Sequence, residues 1–552
     1  MAVSHHSQRS YGRIDVFDTA GALGRGVRAA RPHFGAAGSR QGDGLPGVSA
    51  MADKTIVIGE CRVARQQLLD QGSRAATALD AIGVREGDAI ALLIRNDPCY
   101  FEVLHAAALL GAYVVPLNWH SKADEIGYIL ADCTPRALIG HSDLIAAAQP
   151  VIPAELPTFI MDDAAATASS SPSPFHARDW PLFRDNAVRW EQPARAPRGT
   201  MIYTSGTTGH PKGVRRAPMT PEQIKKNAAL LREIYGIEAG MRAFVCGPLY
   251  HASPGAFARQ AFQHADLTVL QQSFDPEDLL RVIAEYRITH LTMVPTMFVR
   301  LLRLADSVRG RYDLSSIRWV THTGAACPPD VKRGMIEWWG PVIHETYGAT
   351  ETGAAVGCNT EEWLAHPGTV GRPMTGTELR IYDEAGREVA QGGIGEIYLR
   401  TEAYSDFTYH GRPEQRSEVD RSGLVTCGDV GYLDVDGFLY LCDRKRDMVI
   451  SGGVNIYPAE IENVLVNCPG VRDCAVFGVP DAEFGESLIA AIEAEPDAEP
   501  APADVMAFLE RRLARFKVPK RFVFETLPRE ASGKIFKRKL RDRYLQSGIP
   551  PM

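Results

Sequence analysis

The sequence predicts an α/β protein: a large N-terminal domain with parallel-sheet α/β subdomains plus a β-rich subdomain, and a small, mobile α+β C-terminal domain. Three observations carry this. First, short apolar runs alternate with helical stretches from about Val63 onward. Ala64 to Ile82 has helical character and stops at Gly83. Ala89 to Ile94 suits a buried strand, Cys99 to Leu110 is helical again and ends at Gly111, and Tyr113 to Pro116 is a second strand. Parallel strands read as unbroken apolar runs because helices cover both faces of their sheet. Repeated strand–helix–strand units imply such a sheet. Second, the pattern turns β-like between Ile381 and Arg400, with a turn at Asp383 to Gly386 and Gly392-Gly393 ahead of the strand Glu396 to Leu399. Third, the C-terminal stretch alternates short helices (Ala459 to Asn467, Ala503 to Leu513, Ile535 to Leu545) with strands at Asp473 to Val479 and Arg521 to Glu525.

Between these regions, Ala164 to Phe175 is low-complexity and reads as a surface loop. Met201 to Tyr203 is a strand. The helix after it has an N-cap at Thr220, Pro221 in its first turn, Gln223 completing a capping box and Gly236 at its end. A charged turn at Asp443 to Asp447, following the strand Phe438 to Cys442, sets the domain boundary, giving domains at 51–443 and 444–552. Residues 1–50 hold six Arg, three Asp and no sustained periodicity, which fits a disordered extension or a start placed too early, with Met51 the true start.

Composition narrows the function. Of 552 residues, 45% are apolar and 23% charged, enough to bury large cores. A net charge of −7 argues against binding nucleic acid by neutralising its phosphates. The ten cysteines form no CxxC pair, and the spacing of Cys468 and Cys474 fits no common zinc pattern, so reduced thiols in a cytoplasmic protein are expected. No apolar run approaches the ~18 residues of a spanning helix.

One string carries the strongest chemistry. Tyr203-Thr204-Ser205-Gly206-Thr207-Thr208-Gly209-His210-Pro211-Lys212-Gly213 crowds hydroxyls, glycines and a lysine together. Glycines let the backbone turn its N–H groups toward an anion, hydroxyls donate further hydrogen bonds, and lysine adds charge. This is a phosphate cradle. It is not the common P-loop, because Pro211 precedes the lysine and Gly213 follows it.

The string closely resembles the signature loop of the adenylate-forming superfamily: acyl- and aryl-CoA ligases, firefly luciferase and peptide-synthetase adenylation domains. Further motifs follow in that family's order between residues 63 and 545. The resemblance implies an AMP-forming acid:CoA ligase that uses ATP, Mg2+ and coenzyme A. Ser205, Gly206, Thr207, Thr208, Gly209 and Lys212 would hold phosphates. In Tyr347-Gly348-Ala349-Thr350-Glu351 the tyrosine would stack on adenine, Thr350 would contact the α-phosphate, and Glu351 together with Thr204 would hold Mg2+. Gly324-Ala325-Ala326 resembles the segment on adenine's other face. Asp429 and Arg444 match ribose-contacting residues, and Arg446 stands where the family has its interdomain hinge, usually an aspartate or lysine. Gly452-Gly453 resembles the lining of the pantetheine channel, and Lys520 lies in a stretch that meets the CoA nucleotide. Lys534, in Pro528 to Ile535, matches the lysine that enters the site during adenylation. His251 resembles a residue bordering the acyl pocket.

The catalytic set implied is therefore Lys534, Glu351, Thr204 and His251. Partners are a small-molecule carboxylic acid and CoA, with no transmembrane segment; homodimerisation is open. Pro254, Gly255 and Ala256 suggest space for the acid, expected to be medium- or long-chain or otherwise bulky and apolar. A freestanding ligase that loads a carrier protein, and a catalytically silent nucleotide-binding homologue, are the alternative readings.

Overall fold

The computed structural model describes residues 54–162, 177–204, 211–452, 454–481, 483–529 and 535–546. The disordered extension expected at 1–50 and the whole of the low-complexity segment lie outside these residues.

Two parallel sheets form the body. One has five strands, in the order Tyr113–Pro116, Ala89–Leu93, Ala137–His141, Thr158–Met161 and Arg178–Asp179, all parallel. Every residue of Ala89–Leu93 is buried, as an unbroken apolar run requires. The other has nine strands. Its parallel core is Ile343–Ala349, Trp319–His322, His290–Met293, Arg242–Val245, Leu267–Leu270 and Thr55–Ile58, and antiparallel strands close both edges.

Helices Arg65–Ala81 and Cys99–Leu110 pack tightly together through Ala75, Ala76, Ala106 and Ala107, all buried. Gly72 permits this approach, since a Cβ there would lie 2.6 Å from the Glu102 carbonyl. Below them Glu102 accepts from Trp180 Nε1 at 2.8 Å and from Arg184 at 2.7 Å. Burial still raises its pKa to about 7.

A small antiparallel sheet joins Ile202–Thr204, Lys212–Arg216 and Phe407–Tyr409. A β-rich sheet follows, built on Thr377–Tyr382, Gly395–Thr401, Leu424–Leu433 and Leu439–Arg444. The smaller C-terminal domain has its own sheet, with Val471–Asp481 and Gly485–Ala494 at its centre and helices Pro458–Leu465 and Lys537–Gln546 against it.

The helix at Pro221–Tyr235 has the expected Thr220–Gln223 capping box and a left-handed Gly236 cap. Two expectations are corrected. Order begins before Val63, because Thr55–Ile58 pairs with Leu267–Leu270, a partner too distant in sequence to signal the strand locally. Asp443 and Arg444 belong to a strand rather than a charged turn; their cross-strand partners are Val430 and Asp429. All ten cysteines are unpaired. Among the described residues no helix is long and apolar enough to cross a membrane.

Candidate active site

Strands Ile202–Thr204 and Lys212–Arg216 pair antiparallel on either side of the segment expected to cradle phosphate. Thr204 stands opposite Lys212, so the two ends of segment 205–210 are fixed together. The Tyr203 hydroxyl donates to Asp132 Oδ2 at 2.6 Å, and its ring fills the space where a Cβ on Gly213 would lie, 2.9 Å away. Lys212 is buried with its ammonium 5.1 Å from the Tyr409 ring centre. The Tyr409 hydroxyl in turn donates to Glu351 Oε1 at 3.2 Å. Arg216, at the end of strand Lys212–Arg216, donates to the carbonyls of Ser405 (2.6 Å), Thr350 (3.0 Å) and Glu351 (2.6 Å). Burial pulls its pKa below the usual guanidinium range. Thr350 and Glu351 are thus pinned to the cradle.

Next to it lies a second polar constellation. Strand Ile343–Ala349 delivers Tyr347, whose hydroxyl donates to Asp429 Oδ2 at 2.8 Å. Arg444 Nε lies 3.4 Å from Asp429 Oδ1, as their cross-strand register requires. Burial, reinforced by Asp429, holds the Tyr347 pKa well above its ordinary value. Gly324, Ala325 and Ala326 follow the strand Trp319–His322 and are exposed into the cleft rather than packed away. Thr323 Oγ1 donates to the Thr346 carbonyl at 2.7 Å and ties that segment to Tyr347's strand.

Behind this shelf is a buried charge pair. Lys332, 0% exposed, donates to Glu345 Oε2 at 2.5 Å, and His322 Nε2 stands 3.4 Å from the same oxygen. Glu345 shares a strand face with Tyr347, two residues on.

One continuous cleft of about 5010 Å³ gathers Thr204, His251, Gly324, Ala325, Ala326, Tyr347, Gly348, Thr350, Asp429, Arg444 and Arg446. Glu351 and Lys212 do not line it. The facing wall is C-terminal and includes Arg529, Ile535, Phe536 and Lys537. The chain on both sides of Lys534 therefore borders the cleft. Lys534 itself, with Ser205, Gly206, Thr207, Thr208, Gly209 and Gly453, lies outside the described residues.

Gly452 and Lys520 are not part of this cleft. They meet on another surface, where Gly452 N donates to the Phe484 carbonyl at 2.8 Å and Lys520 Nζ lies 3.3 Å from Asp481 and 4.2 Å from the Phe484 ring centre. His251 caps the helix Ala252–His264. Among the described residues its Nε2 is buried without a partner, and burial, with nearby His120, lowers its pKa to about 4.

The donor set fits a hard cation. Among the described residues only one Glu351 oxygen is engaged, and Thr204, which lines the cleft, carries a hydroxyl. Carboxylate and hydroxyl oxygens suit Mg2+.

Sequence reasoning missed Arg216, Lys332 and Glu345. Only Glu345 carried a signal, its i,i+2 relation to Tyr347.

Fold and cleft are those of an adenylate-forming enzyme. A model of the AMP-binding enzyme family matches residues 47–405, and one of the AMP-binding enzyme C-terminal domain matches 460–534. The chain belongs to this family and is an enzyme of the acid–CoA ligase class. It is 34% identical to a feruloyl-CoA synthase of Amycolatopsis sp over 86% of this chain and 92% of the relative. It is 33% identical to the fatty acid–[acyl-carrier-protein] ligase ScoC of Streptomyces coeruleorubidus, over 87% and 91%. Among solved structures it is similar to the o-succinylbenzoate CoA synthetase of Bacillus subtilis in complex with its acyl-adenylate intermediate, with a TM-score of 0.75 and 27% identity over 89% of this chain and 96% of that one.

Proposed function

We propose that this enzyme condenses a carboxylic acid with ATP to an acyl-adenylate, releasing pyrophosphate, and then transfers the acyl group to the thiol of CoA with release of AMP. One observation carries the reading. The cleft collects a hydroxyl from the phosphate cradle (Thr204), an aromatic shelf (Tyr347 with Gly324 to Ala326) and a carboxylate–arginine pair (Asp429, Arg444), and the chain flanking Lys534 faces them.

In the first half-reaction the substrate carboxylate attacks the α-phosphorus in line and pyrophosphate departs. The protein's task is positioning and charge stabilisation. Asp429, already accepting from Tyr347, would take the ribose hydroxyls. Thr350, anchored through its carbonyl by Arg216, would hold the α-phosphate. The cradle and Lys534 would meet the negative charge that develops. Mg2+, held by Glu351 and Thr204, would neutralise phosphate charge. In the second half-reaction the C-terminal domain, bounded at 443/444, would turn about Arg446, withdraw Lys534 and bring Gly452 to the thiol's path, with Lys520 toward the CoA nucleotide.

The test is acid-dependent ATP–pyrophosphate exchange, followed by CoA-dependent AMP release, over fatty, aromatic and polycyclic acids. Exchange with some acid, and AMP release only once CoA is added, supports the reading. Absence of exchange with every acid overturns it. A second reading, loading of a carrier protein, is favoured by the similarity to ScoC. Faster transfer to a carrier protein than to free CoA would replace the first reading with the second.

A further inference from the structure

We propose that Asp443 is a positioning residue: its carboxylate latches the C-terminal domain in the orientation that brings the chain around Lys534 to the cleft, and it must let go before acyl transfer. This rests on the two-step reading above and on the turn about Arg446 that the reading includes.

The chain passes from the body to the C-terminal domain within a few residues. Lys445 still belongs to the body, where its N–H donates to the Gly428 carbonyl at 2.7 Å and its ammonium lies 2.9 Å from Glu396. Val449–Ser451 already pairs with Val454–Ile456 and, through Ser451, with Gly485 in the C-terminal sheet. Asp443 stands on the body strand Leu439–Arg444, ahead of Arg446. Its Oδ2 accepts from the N–H of Ala459 at 2.8 Å, on the other side of the turning point. Its Oδ1 accepts from the N–H of Arg444 at 2.7 Å, which fixes the aim of the carboxylate.

The contact supplies what a helix lacks. The first turn of a helix leaves N–H groups without intrahelical partners. Tyr457, at the N-cap of Pro458–Leu465, makes no side-chain cap. Pro458 has no N–H. Ala459 therefore carries the first N–H of this helix, and the body provides its acceptor. A carboxylate at the positive end of the helix dipole is favoured as well.

The same helix holds the chain that follows Lys534. Glu462, on its next turn, receives the Lys537 ammonium at 2.8 Å. Lys537 opens the helix Lys537–Gln546 and lines the cleft. Burial works against its charge, but Glu462 and then Asp443 outweigh it and raise its pKa. The helix Pro458–Leu465 thus passes its grip on Asp443 to the segment that carries Lys534.

A turn that exchanges the Lys534 surface for the Gly452 surface carries Ala459 away from Asp443. Asp443 lines the cleft, so water solvates its carboxylate once it is released. The Arg303–Glu495 and Asn455–Glu384 contacts between the domains are exposed and contribute little. A charge-assisted, partly buried bond therefore weighs heavily in the balance between the two orientations.

The experiment compares the full chain with Asp443→Ala and Asp443→Asn in each half-reaction: ATP–pyrophosphate exchange, and transfer from supplied acyl-adenylate to CoA. Asp443→Ala should slow exchange roughly tenfold, the usual worth of a hydrogen bond to a charged group, with the loss in kcat rather than in KM for ATP. Transfer to CoA should hold or quicken. Asparagine keeps an acceptor oxygen, so Asp443→Asn should recover part of the exchange. Equal loss in both half-reactions, parent rates in both, or a loss confined to KM for ATP overturns the proposal. If neither variant folds, hydrogen exchange on the unmodified protein decides it. The amides at the start of Pro458–Leu465 should exchange faster with AMP and CoA present than with ATP and Mg2+, and equal rates overturn the proposal. No pyrophosphate exchange by the parent with any acid would instead bring down the ligase reading underneath.

Discussion

The two walls of the cleft differ in how they are tied to the rest of the molecule. On the body side, polar groups are buried and cross-linked: Lys332 with Glu345, Tyr347 with Asp429, Arg216 with three carbonyls. On the C-terminal side, several of the charged contacts to the body are exposed. Arg303 reaches the Arg472 carbonyl at 2.9 Å and Glu495 at 3.0 Å, and Asn455 touches Glu384 at 3.4 Å. Exposed ion pairs contribute roughly 0–1 kcal/mol each. A rigid wall suits gripping a nucleotide, and a lightly tethered one suits a domain that must turn between half-reactions.

The comparison breaks most severely at Lys332. Removing one partner of a buried ion pair leaves the other charge uncompensated and costs about 3–5 kcal/mol. Lys332→Met should lower the thermal midpoint of the body by several degrees and raise KM for ATP, since Glu345 stands on Tyr347's own strand, two residues before it. Calorimetry and exchange kinetics check this; a variant as stable as the parent would mean the pair does not brace that wall.

Lys534→Ala tests the C-terminal domain. It should slow adenylate formation on the order of 10²–10³-fold, the usual cost of one charge-stabilising donor. Acyl transfer from supplied acyl-adenylate to CoA should stay within a few-fold of the parent. Equal loss in both half-reactions would remove Lys534 from the role given to it.

Acid should separate the two regions as well. Burial lowers the pKa of His105, His251 and His344 from 6.5 to about 4, and all three lie in the body. Residues 444–552 contain no histidine. A base whose folded pKa is depressed lends stability above its unfolded pKa and loses it as pH falls through the folded one. The window is therefore pH 6.5 down to about 4, and each group costs up to about 3 kcal/mol at its lower end. Glu102, raised to about 7, works the other way and offsets part of this loss. Hydrogen exchange on the full chain should show the body opening before the C-terminal domain as pH drops from 6.5 to 5. Earlier opening of the C-terminal domain would contradict this ordering.

What was legible in the sequence was local. The Thr220–Gln223 capping box, the helix Cys99–Leu110 with its Gly111 cap, and the strand Tyr113–Pro116 are specified by neighbouring residues, and the structure has them at the expected positions. What was missed depends on long-range pairing. Thr55–Ile58 is a strand because Leu267–Leu270 lies beside it. Lys332 sits on a helix, Pro329–Trp339, where a lysine ordinarily faces water, and only the fold turns it onto Glu345. The site motifs could be read because each is contiguous.

The smallest effect sharpens the comparison on the C-terminal side. Gly452 has φ +58°, in the left-handed region, and a Cβ there would lie 3.3 Å from the Phe484 ring. Alanine in that conformation costs about 1–2 kcal/mol locally, and Phe484, 39% exposed, has room to give by the few tenths of an ångström needed. Gly452 does not line the cleft in this arrangement, so Gly452→Ala should leave ATP–pyrophosphate exchange nearly intact. If the segment enters the site only for the second half-reaction, CoA-dependent AMP release should slow several-fold, because both the strained backbone and the added methyl narrow the thiol's path. A variant slowed equally in both half-reactions would place Gly452 in the fabric of the domain rather than on the route of the acceptor, and the functional difference between the two surfaces of the C-terminal domain would disappear.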